Sequence, residues 1–360
     1  GICPPSSPSE KPEDILRRQQ IPPTTLPGSP TPPSQTPDKP MVKDRPEVIA
    51  PGDQTFTVKR FVLTGSQVFS QAEIDRVTVV FLNTPITFAQ VLEARSKITE
   101  LYVSRGYITT GAYIPEQDFQ EGGDLQIAVV EGSIESIDIQ GNGRLNSGYL
   151  RSRVALGAKT PLNREQLLEG LQLLRINPLL SNLSATLEGG SRPGKSILSV
   201  KIKEAASFAT EFSLNNNRSP SVGSFRRGVQ VNEANLLGYG DGLTIGYGNT
   251  DGSQSWDFSY SLPVSPRDTT LSFNFGVSNS DVIERPFDAL QIESASRYYE
   301  LTLRHPLRRT LTSELAMGLT FSRRESQTKL GFENIGPFPL SAGADDQGRT
   351  KVSAVRFFRN

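Results

Sequence analysis

The sequence is short of the residues that enzymes and metal sites rely on: it has one cysteine and one histidine among 360 residues. Cys3 has no partner for an internal disulfide, and Cys3 with His305 cannot form a zinc-type ligand set. The 38 basic and 38 acidic residues cancel, so net charge does not favour a nucleic-acid partner.

Phosphate loops of the Walker type and Gly-x-Ser-x-Gly elbows are also missing. Gly238-Tyr239-Gly240-Asp241-Gly242 is followed by no helix pattern, so it predicts a hairpin turn and not a nucleotide loop. His305 precedes Pro306 in what reads as a tight turn, which indicates a surface residue and not a catalytic base. We therefore predict no enzymatic activity, no metal, no small-molecule cofactor and no nucleic-acid partner.

No apolar run approaches the roughly 20 residues that a membrane-spanning helix needs. This excludes a helical membrane protein. A membrane β-barrel stays open, because its strands of roughly 9–11 residues are half polar.

Residues 206–360 alternate apolar and polar side chains with period two, the pattern of strands with one apolar and one polar face. It is clearest in Trp256 to Leu262, Leu271 to Val277 and Leu315 to Phe321. About eight strands are predicted, at 206–215, 226–236, 241–249, 253–263, 269–279, 296–305, 310–323 and 348–358. Tight connections alternate with mostly long ones, as in outer-membrane barrels. A soluble β-sandwich shows the same alternation, so the pattern alone leaves both readings open.

Residues 54–204 contain an internal repeat with an offset of 76 residues. Gly65 and Gly141 each end a strand-like segment, and Thr87 with Gln90 matches Asn163 with Gln166 as a helix start of capping-box spacing. Each of the helices that follow has an apolar stripe. The stripe consists of Val91, Ile98 and Leu101 in the first helix and of Leu167, Leu171 and Leu174 in the second. Each copy closes with a strand ending in glutamate, at Glu131 and Glu204. Each therefore reads strand, helix, helix, strand, strand, a small α+β unit.

The first 53 residues are rich in proline, serine and threonine and cannot bury a core. We expect a linker over residues 1–53 with one short helix candidate at 13–20, where Pro12 precedes and Pro22 follows.

Two tandem α+β units leading into an alternating barrel resemble the outer-membrane transporters of two-partner secretion, the haemolysin secretion/activation type. The segments that carry the resemblance are Tyr102 to Tyr107, Val130-Glu131-Gly132 and Ile176 to Leu183. It implies a first polypeptide-transport-associated (POTRA) domain at 54–132, a second at 133–205, and a transmembrane antiparallel β-barrel from 206 to 360. The family's Val-Arg-Gly-Tyr motif has no copy in the barrel half, since Arg105-Gly106-Tyr107 lies in the first unit. The family's barrel has sixteen strands, so the eight predicted here are expected to be half of it, in a C-terminally truncated member.

The resemblance implies export of a large secreted polypeptide through the barrel, with the barrel in outer-membrane lipid and the POTRA domains in the periplasm. A client strand would add to the first unit between the helix at 88–104 and the strand near 109–114. The candidate client-binding residues are Tyr107, Thr109, Gly111 and Tyr113, and packing into the unit's own core is the alternative for the two tyrosines. The candidate pore-lining residues are Glu211, Asp257, Glu300 and Arg304, and a solvated position at a loop end is the alternative for Arg304. Two other functions stay open. One is the insertion of outer-membrane proteins, and the other is a passive porin or a surface binding module. The α+β units argue against a porin, because a porin does not need them.

Overall fold

The computed structural model describes residues 54–340 and 342–359. The predicted linker and the helix candidate at 13–20 lie outside the described residues. The helices are α1 (Gln71–Thr78), α2 (Phe88–Ser104), α3 (Ser147–Gly157) and α4 (Arg164–Arg175). The strands before residue 205 are β1 (Thr55–Thr57), β2 (Arg60–Thr64), β3 (Pro85–Thr87), β4 (Gly111–Tyr113), β5 (Asp124–Val130), β6 (Ser133–Gln140), β7 (Leu180–Gly189) and β8 (Lys195–Glu204). Those after it are β9 (Phe208–Asn215), β10 (Arg226–Glu233), β11 (Gly242–Asn249), β12 (Ser253–Pro263), β13 (Thr270–Asp281), β14 (Ile292–Arg309), β15 (Glu314–Leu330), β16 (Gly336–Pro337) and β17 (Arg349–Arg359).

The first α+β unit packs α1 and α2 on a three-stranded sheet of order β2-β5-β4, while β1 and β3 form a separate two-stranded ladder. Helix α2 begins where the sequence predicts, because the Thr87 hydroxyl accepts the Gln90 N–H and the Gln90 side chain accepts the Thr87 N–H. The predicted apolar stripe of α2 enters the core, with Val91 and Ile98 fully buried beside Tyr102.

The second unit repeats this plan with α3 and α4 on a sheet of order β6-β8-β7. Asn163 caps α4 by accepting the N–H groups of Glu165 and Gln166. The predicted stripe of α4 is buried, and it packs with residues of α3 and β8 in a second core. That core includes Leu150, Val154, Leu162, Leu167, Leu171, Leu174 and Leu198.

In each unit, the repeated glycine and the repeated glutamate fix the same loop. Gly65 has φ +81°, and a Cβ there would lie 2.6 Å from the Val129 carbonyl oxygen, while Gly141 has φ +82° and the same relation to the Ile202 oxygen at 2.3 Å. Only glycine fits such a position. Two residues beyond each of these carbonyls, a glutamate holds the loop that follows the glycine. Glu131 accepts the N–H groups of Gln67 and Val68, and Glu204 accepts those of Gly143, Arg144 and Leu145.

Strands β9 to β15 form an antiparallel sheet in which each strand pairs with the next along the chain, and β15 also pairs with β16 and β17. The predicted fold, α+β units followed by a barrel-type antiparallel sheet, is confirmed. Within residues 54–340 and 342–359 the sheet does not close, since β9 pairs only with β10 and β17 only with β15.

Two predicted strands are too short and one predicted turn is wrong. Strand β14 runs to Arg309 and β15 to Leu330, beyond the predicted ends at 305 and 323. The turn expected at 305–309 lies instead at 310–313, where the Thr310 N–H donates to the Ser313 carbonyl. The register shifts between Pro306 and Arg308, and such a bulge accommodates proline inside a ladder. His305 is therefore a strand residue, with Nδ1 2.8 Å from the Thr269 hydroxyl.

The two faces of the sheet differ as the alternation predicts. Large apolar side chains of one face are exposed along the middle of the strands, including Trp256 (53%), Leu271, Phe273, Leu301, Leu303, Leu319 and Phe321. Below we call these residues the apolar band. The band is bounded by charge on β14. Arg297 pairs with Glu325 toward the long loops, and Arg308 shares a row with Leu315 at the turn end.

Among the described residues, no helix has both the length and the apolarity required to cross a membrane.

Candidate functional site

The polar face of the sheet gathers two of the four predicted pore residues into one row. Glu211 pairs with Gln230, which pairs with Gly246, and Gly246 pairs with Asp257. Glu211 and Asp257 line a shallow cavity of about 150 Å³, and the Tyr298 hydroxyl donates to Asp257 Oδ1 at 3.0 Å.

The other two pore candidates lie closer to the turns. Glu300 is opposite Asn274, whose amide lies 3.5 Å from Glu300 Oε1. Arg304 faces the same side but forms an ion pair with Glu314, which also pairs with Arg309. Arg304 therefore belongs to a charged cluster at the turn end of β14, and the row of Glu211 and Asp257 does not include it.

The four client-binding candidates of the first unit do not form one surface. Tyr107 is half-buried and packs on the core, with its ring edge-on to Tyr102 at 6.2 Å. Thr109 lies against Gly132, where a Cβ on the glycine would overlap the threonine hydroxyl. Gly111 and Tyr113 belong to β4, and the Tyr113 side chain is 49% exposed.

Strand β4 is the edge of its sheet, but its outward amide is already occupied. The Ala112 N–H donates to Thr99 Oγ1 of α2 at 3.2 Å. Because neighbouring residues of a strand alternate in the direction of their hydrogen bonds, Gly111 and Tyr113 direct theirs toward β5. A client strand that pairs here must first displace Thr99.

Hydrogen bonds to backbone carbonyls join the two α+β units. The Asn163 side-chain amide donates to the Arg105 carbonyl at 3.0 Å, and the Arg164 N–H donates to the Gly106 carbonyl at 2.8 Å. Asn163 thus caps α4 with its oxygen and contacts the end of α2 with its nitrogen. Leu162 adds a third contact by donating its N–H to the Gly132 carbonyl at 2.7 Å.

The second unit also docks on the sheet, and Arg144 makes the first contact. Its guanidinium donates to Glu233, to the Ser207 hydroxyl and to the Asn235 carbonyl, at 2.7–3.1 Å. Next to it, the Asn146 N–H donates to the Gly238 carbonyl at 2.8 Å.

Arg153 of α3 makes the second contact with the sheet. Only 9% of its side chain is exposed, and it binds Asp268 in the β12–β13 turn through Nε at 3.2 Å and Nη2 at 2.6 Å. The guanidinium lies 3.6 Å from the centre of the Tyr149 ring, a stacked cation–π geometry. Asp268 also pairs with Arg309. Burial raises the pKa of Tyr149, although Arg153 opposes the shift.

No local pattern in the sequence marks these docking residues, because their partners lie 63 to 115 positions away in the chain. Asp241, by contrast, makes its contacts within the sheet. It follows the predicted Gly238-Tyr239-Gly240 turn, is fully buried, and accepts the Leu237 N–H and the Tyr260 hydroxyl. The segment is therefore a hairpin connection, as predicted.

Together these features define a class: proteins in which small α+β units lead into, and dock against, a long antiparallel sheet with one apolar and one polar face. Residues 56–132 match the model of the POTRA domain, ShlB-type, and residues 194–335 match that of the haemolysin secretion/activation protein ShlB/FhaC/HecB. Each of the two segments is therefore similar to a part of the haemolysin secretion/activation proteins.

Curated relatives agree with these matches. The outer membrane transporter CdiB of Dickeya dadantii is 24% identical over 240 residues, covering 64% of this chain and 42% of the relative. CdiB of Escherichia coli is 27% identical over 230 residues, covering 61% and 37%. The heme/hemopexin transporter protein HuxB of Haemophilus influenzae is 22% identical over 267 residues, covering 71% and 46%. The chain thus spans less than half the length of these relatives.

Solved structures show the same fold. CdiB from Escherichia coli superposes with a TM-score of 0.55 at 22% identity, covering 89% of this chain and 58% of that one. CdiB from Acinetobacter baumannii gives 0.50 at 17% identity, covering 96% and 64%.

Proposed function

We propose that this chain is part of an outer-membrane transporter that exports a large secreted polypeptide, with its sheet in outer-membrane lipid and its α+β units in the periplasm. In this proposal residues 54–132 and 133–205 are two POTRA domains, and residues 206–360 contribute strands to the barrel. The transport step makes and breaks no covalent bond.

The observation that carries the proposal is the two-faced sheet. One face exposes the apolar band, which suits hydrocarbon, and the other carries Glu211, Gln230 and Asp257, which suit a water-filled passage.

Glu211 and Asp257 are the residues we propose as pore-lining, together with Glu300 and Arg304 nearer the turns. All four side chains lie on the polar face of the sheet. Fixed negative charge in a passage attracts cations, so the row of Glu211 and Asp257 suits a passage that prefers cations.

The client would first meet the first unit at β4. We propose that a client strand pairs with the β4 edge after Thr99 releases the Ala112 N–H, with exposed Tyr113 beside it. Tyr107 and Thr109 would support this edge from the core and from the joint with the second unit.

The test is a secretion assay with the full-length transporter and the large secreted protein encoded beside it. We expect the client in the medium when both are expressed, and in the periplasm when the transporter is absent. Glu211→Gln with Asp257→Asn should shift the reversal potential of single channels toward anions, while Glu293→Gln on the opposite face should not.

Failure of export together with a general loss of other barrel proteins from the outer membrane would point to the assembly-factor alternative. Channels that conduct ions without any client-dependent export would point to a porin.

A further inference from the structure

A cavity of about 440 Å³ lies between the second α+β unit and the sheet. Helices α3 and α4 form one wall, and the β12–β13 turn with the end of β14 forms the other. Its apolar lining is Leu156, Leu173, Leu174, Pro266, Pro306 and Leu307, and its charged lining is Arg153, Arg267, Asp268, Arg308 and Arg309.

The charged lining has an excess of positive charge. Arg153 and Arg309 share Asp268. Arg267 and Arg308 are both exposed, and neither has a carboxylate within 4.0 Å among the described residues. An occupant that complements this site carries negative charge.

The position of the cavity indicates where that charge would come from. Arg308 shares a row with Leu315 and therefore lies on the same face as the apolar band, at its turn end. Basic residues that border the apolar zone of a membrane protein lie at the level of the lipid headgroups. Leu307, which is 50% exposed, and Leu156, which is 38% exposed, extend the apolar surface into the cavity.

A polypeptide fits the lining less well than a lipid. Helices and a turn supply most of the walls, and the strand residues, at the end of β14, are already paired with β15. On its other side β14 pairs with β13 only as far as Arg304, so a client strand would find a short edge that is interrupted by Pro306, which has no N–H to donate. A phosphate on a hydrocarbon chain needs only the cations and the apolar walls.

We propose that this cavity binds one anionic phospholipid, with the phosphate between Arg267 and Arg308 and the first methylenes against Leu156 and Leu307. The proposal rests on the membrane location given under Proposed function. The bound lipid would fill the space between the second unit and the sheet. It would thus stabilise the same interface as the ion pair of Arg153 and Asp268.

The test uses the full-length protein in detergent and native mass spectrometry with phosphatidylglycerol or phosphatidylcholine as the probe. We expect one phosphatidylglycerol to be retained in preference to phosphatidylcholine. Arg267→Gln with Arg308→Gln should weaken this retention about fivefold for each arginine removed. The matched control is Arg218→Gln with Arg285→Gln, which removes the same charge from exposed loops and should leave retention unchanged.

Leu307→Asn tests the apolar wall without altering charge, and it should also weaken phosphatidylglycerol retention. Heat-modifiable migration in gels confirms that each variant is folded. Equal retention by the two double variants, or equal retention of the two lipids, would overturn the proposal.

Two further results separate this proposal from its alternatives. An acidic client peptide that displaces phosphatidylglycerol from the wild type but does not bind the Arg267→Gln, Arg308→Gln variant would assign the cavity to the client and overturn the lipid. If export proceeds while phosphatidylglycerol shows no preference, the lipid site is wrong and the proposed function stands.

Discussion

Gly65 and Gly141 show how single residues fix the two α+β units. Each has a positive φ and presses against a carbonyl of the closing strand, and the glutamate two positions beyond that carbonyl binds the following loop. The sequence identifies these residues as a repeat. It does not reveal their partnership, because the contacts join residues about 60 positions apart.

Replacing Gly65 with alanine should destabilise the first unit by about 2–4 kcal/mol, since strain at positive φ adds to the overlap with the Val129 oxygen. Gly122→Ala is the control, because Gly122 has φ +74° with open space around its Cβ position. It should cost only about 1 kcal/mol. Amide hydrogen exchange of β2 and β5 measures both, and equal effects would refute the overlap argument.

Glu204 should make the stability of the second unit depend on pH. Burial opposes ionisation, but hydrogen bonds from Leu145, Gly143 and Arg144 outweigh it and hold the pKa of Glu204 below its usual 4.5. A carboxylate with a lowered pKa stabilises the fold above the unfolded value and loses that contribution as the pH falls through the folded value.

Glu204→Gln should therefore speed amide exchange at Gly143–Leu145 about tenfold at pH 7. The difference from the wild type should shrink below about pH 4.5 as the native carboxyl protonates. Glu188→Gln, in exposed β7 of the same unit, should change little at either pH. A difference for Glu204 that is constant across pH would contradict the proposed carboxylate role.

At the scale of elements, local sequence signals predict where a helix or strand begins better than where it ends. The Thr87–Gln90 capping box fixes the beginning of α2, and the predicted helix at 88–104 is the observed one. Pro306 suggested the end of a strand, yet β14 continues past it, because a bulge removes the hydrogen bond that proline cannot make. Whether a proline breaks a ladder or sits in a bulge depends on the neighbouring strand, which a local pattern does not contain.

The joint between α3 and the β12–β13 turn should depend on Arg153 and Asp268 as a pair. Asp268→Asn leaves Arg153 and Arg309 without their shared carboxylate, so it should loosen the joint more than Arg153→Gln. The double variant should cost about 1–3 kcal/mol less than the sum of the single ones.

Hydrogen exchange at 264–269 and at α3 reports this coupling. Arg151→Gln is the control, since its exposed guanidinium donates to the Ile137 carbonyl and to no other group in the described part of the chain. Strict additivity of Arg153→Gln and Asp268→Asn would show that the ion pair does not hold the joint.

For the whole molecule, the alternation of side chains predicted which residues share a face, because the pleat of a strand imposes it irrespective of what surrounds the sheet. The exposure of these residues argues against a sandwich, in which apolar faces pack on each other: Leu301, Leu303 and Leu319 are all 45–50% exposed. The docking of the second unit on the sheet was not predictable, since it depends on complementary shapes of distant segments.

Two residues at similar depth on opposite faces of the sheet allow a direct test of which face meets hydrocarbon. Leu301 and Asn274 lie in adjacent rows on β14 and β13. Leu301→Lys should cost about 2–4 kcal/mol on insertion into vesicles, because it places a charge in the apolar band. Asn274→Lys, beside Glu300 on the polar face, should insert nearly as well as the wild type.

The folding yield of each variant in vesicles, measured at increasing urea concentrations, gives the difference in the free energy of insertion. Equal tolerance of the two lysines would show that Leu301 does not face hydrocarbon.

The two joints have a mechanical consequence. Asn163 connects the units through main-chain carbonyls, and Arg144 and Arg153 fasten the second unit to two turns of the sheet. A force applied to β4 would therefore be transmitted through both units to the turns that join the strands of the sheet. If a client pairs with β4 as proposed above, its binding would therefore act directly on the entrance to the proposed passage.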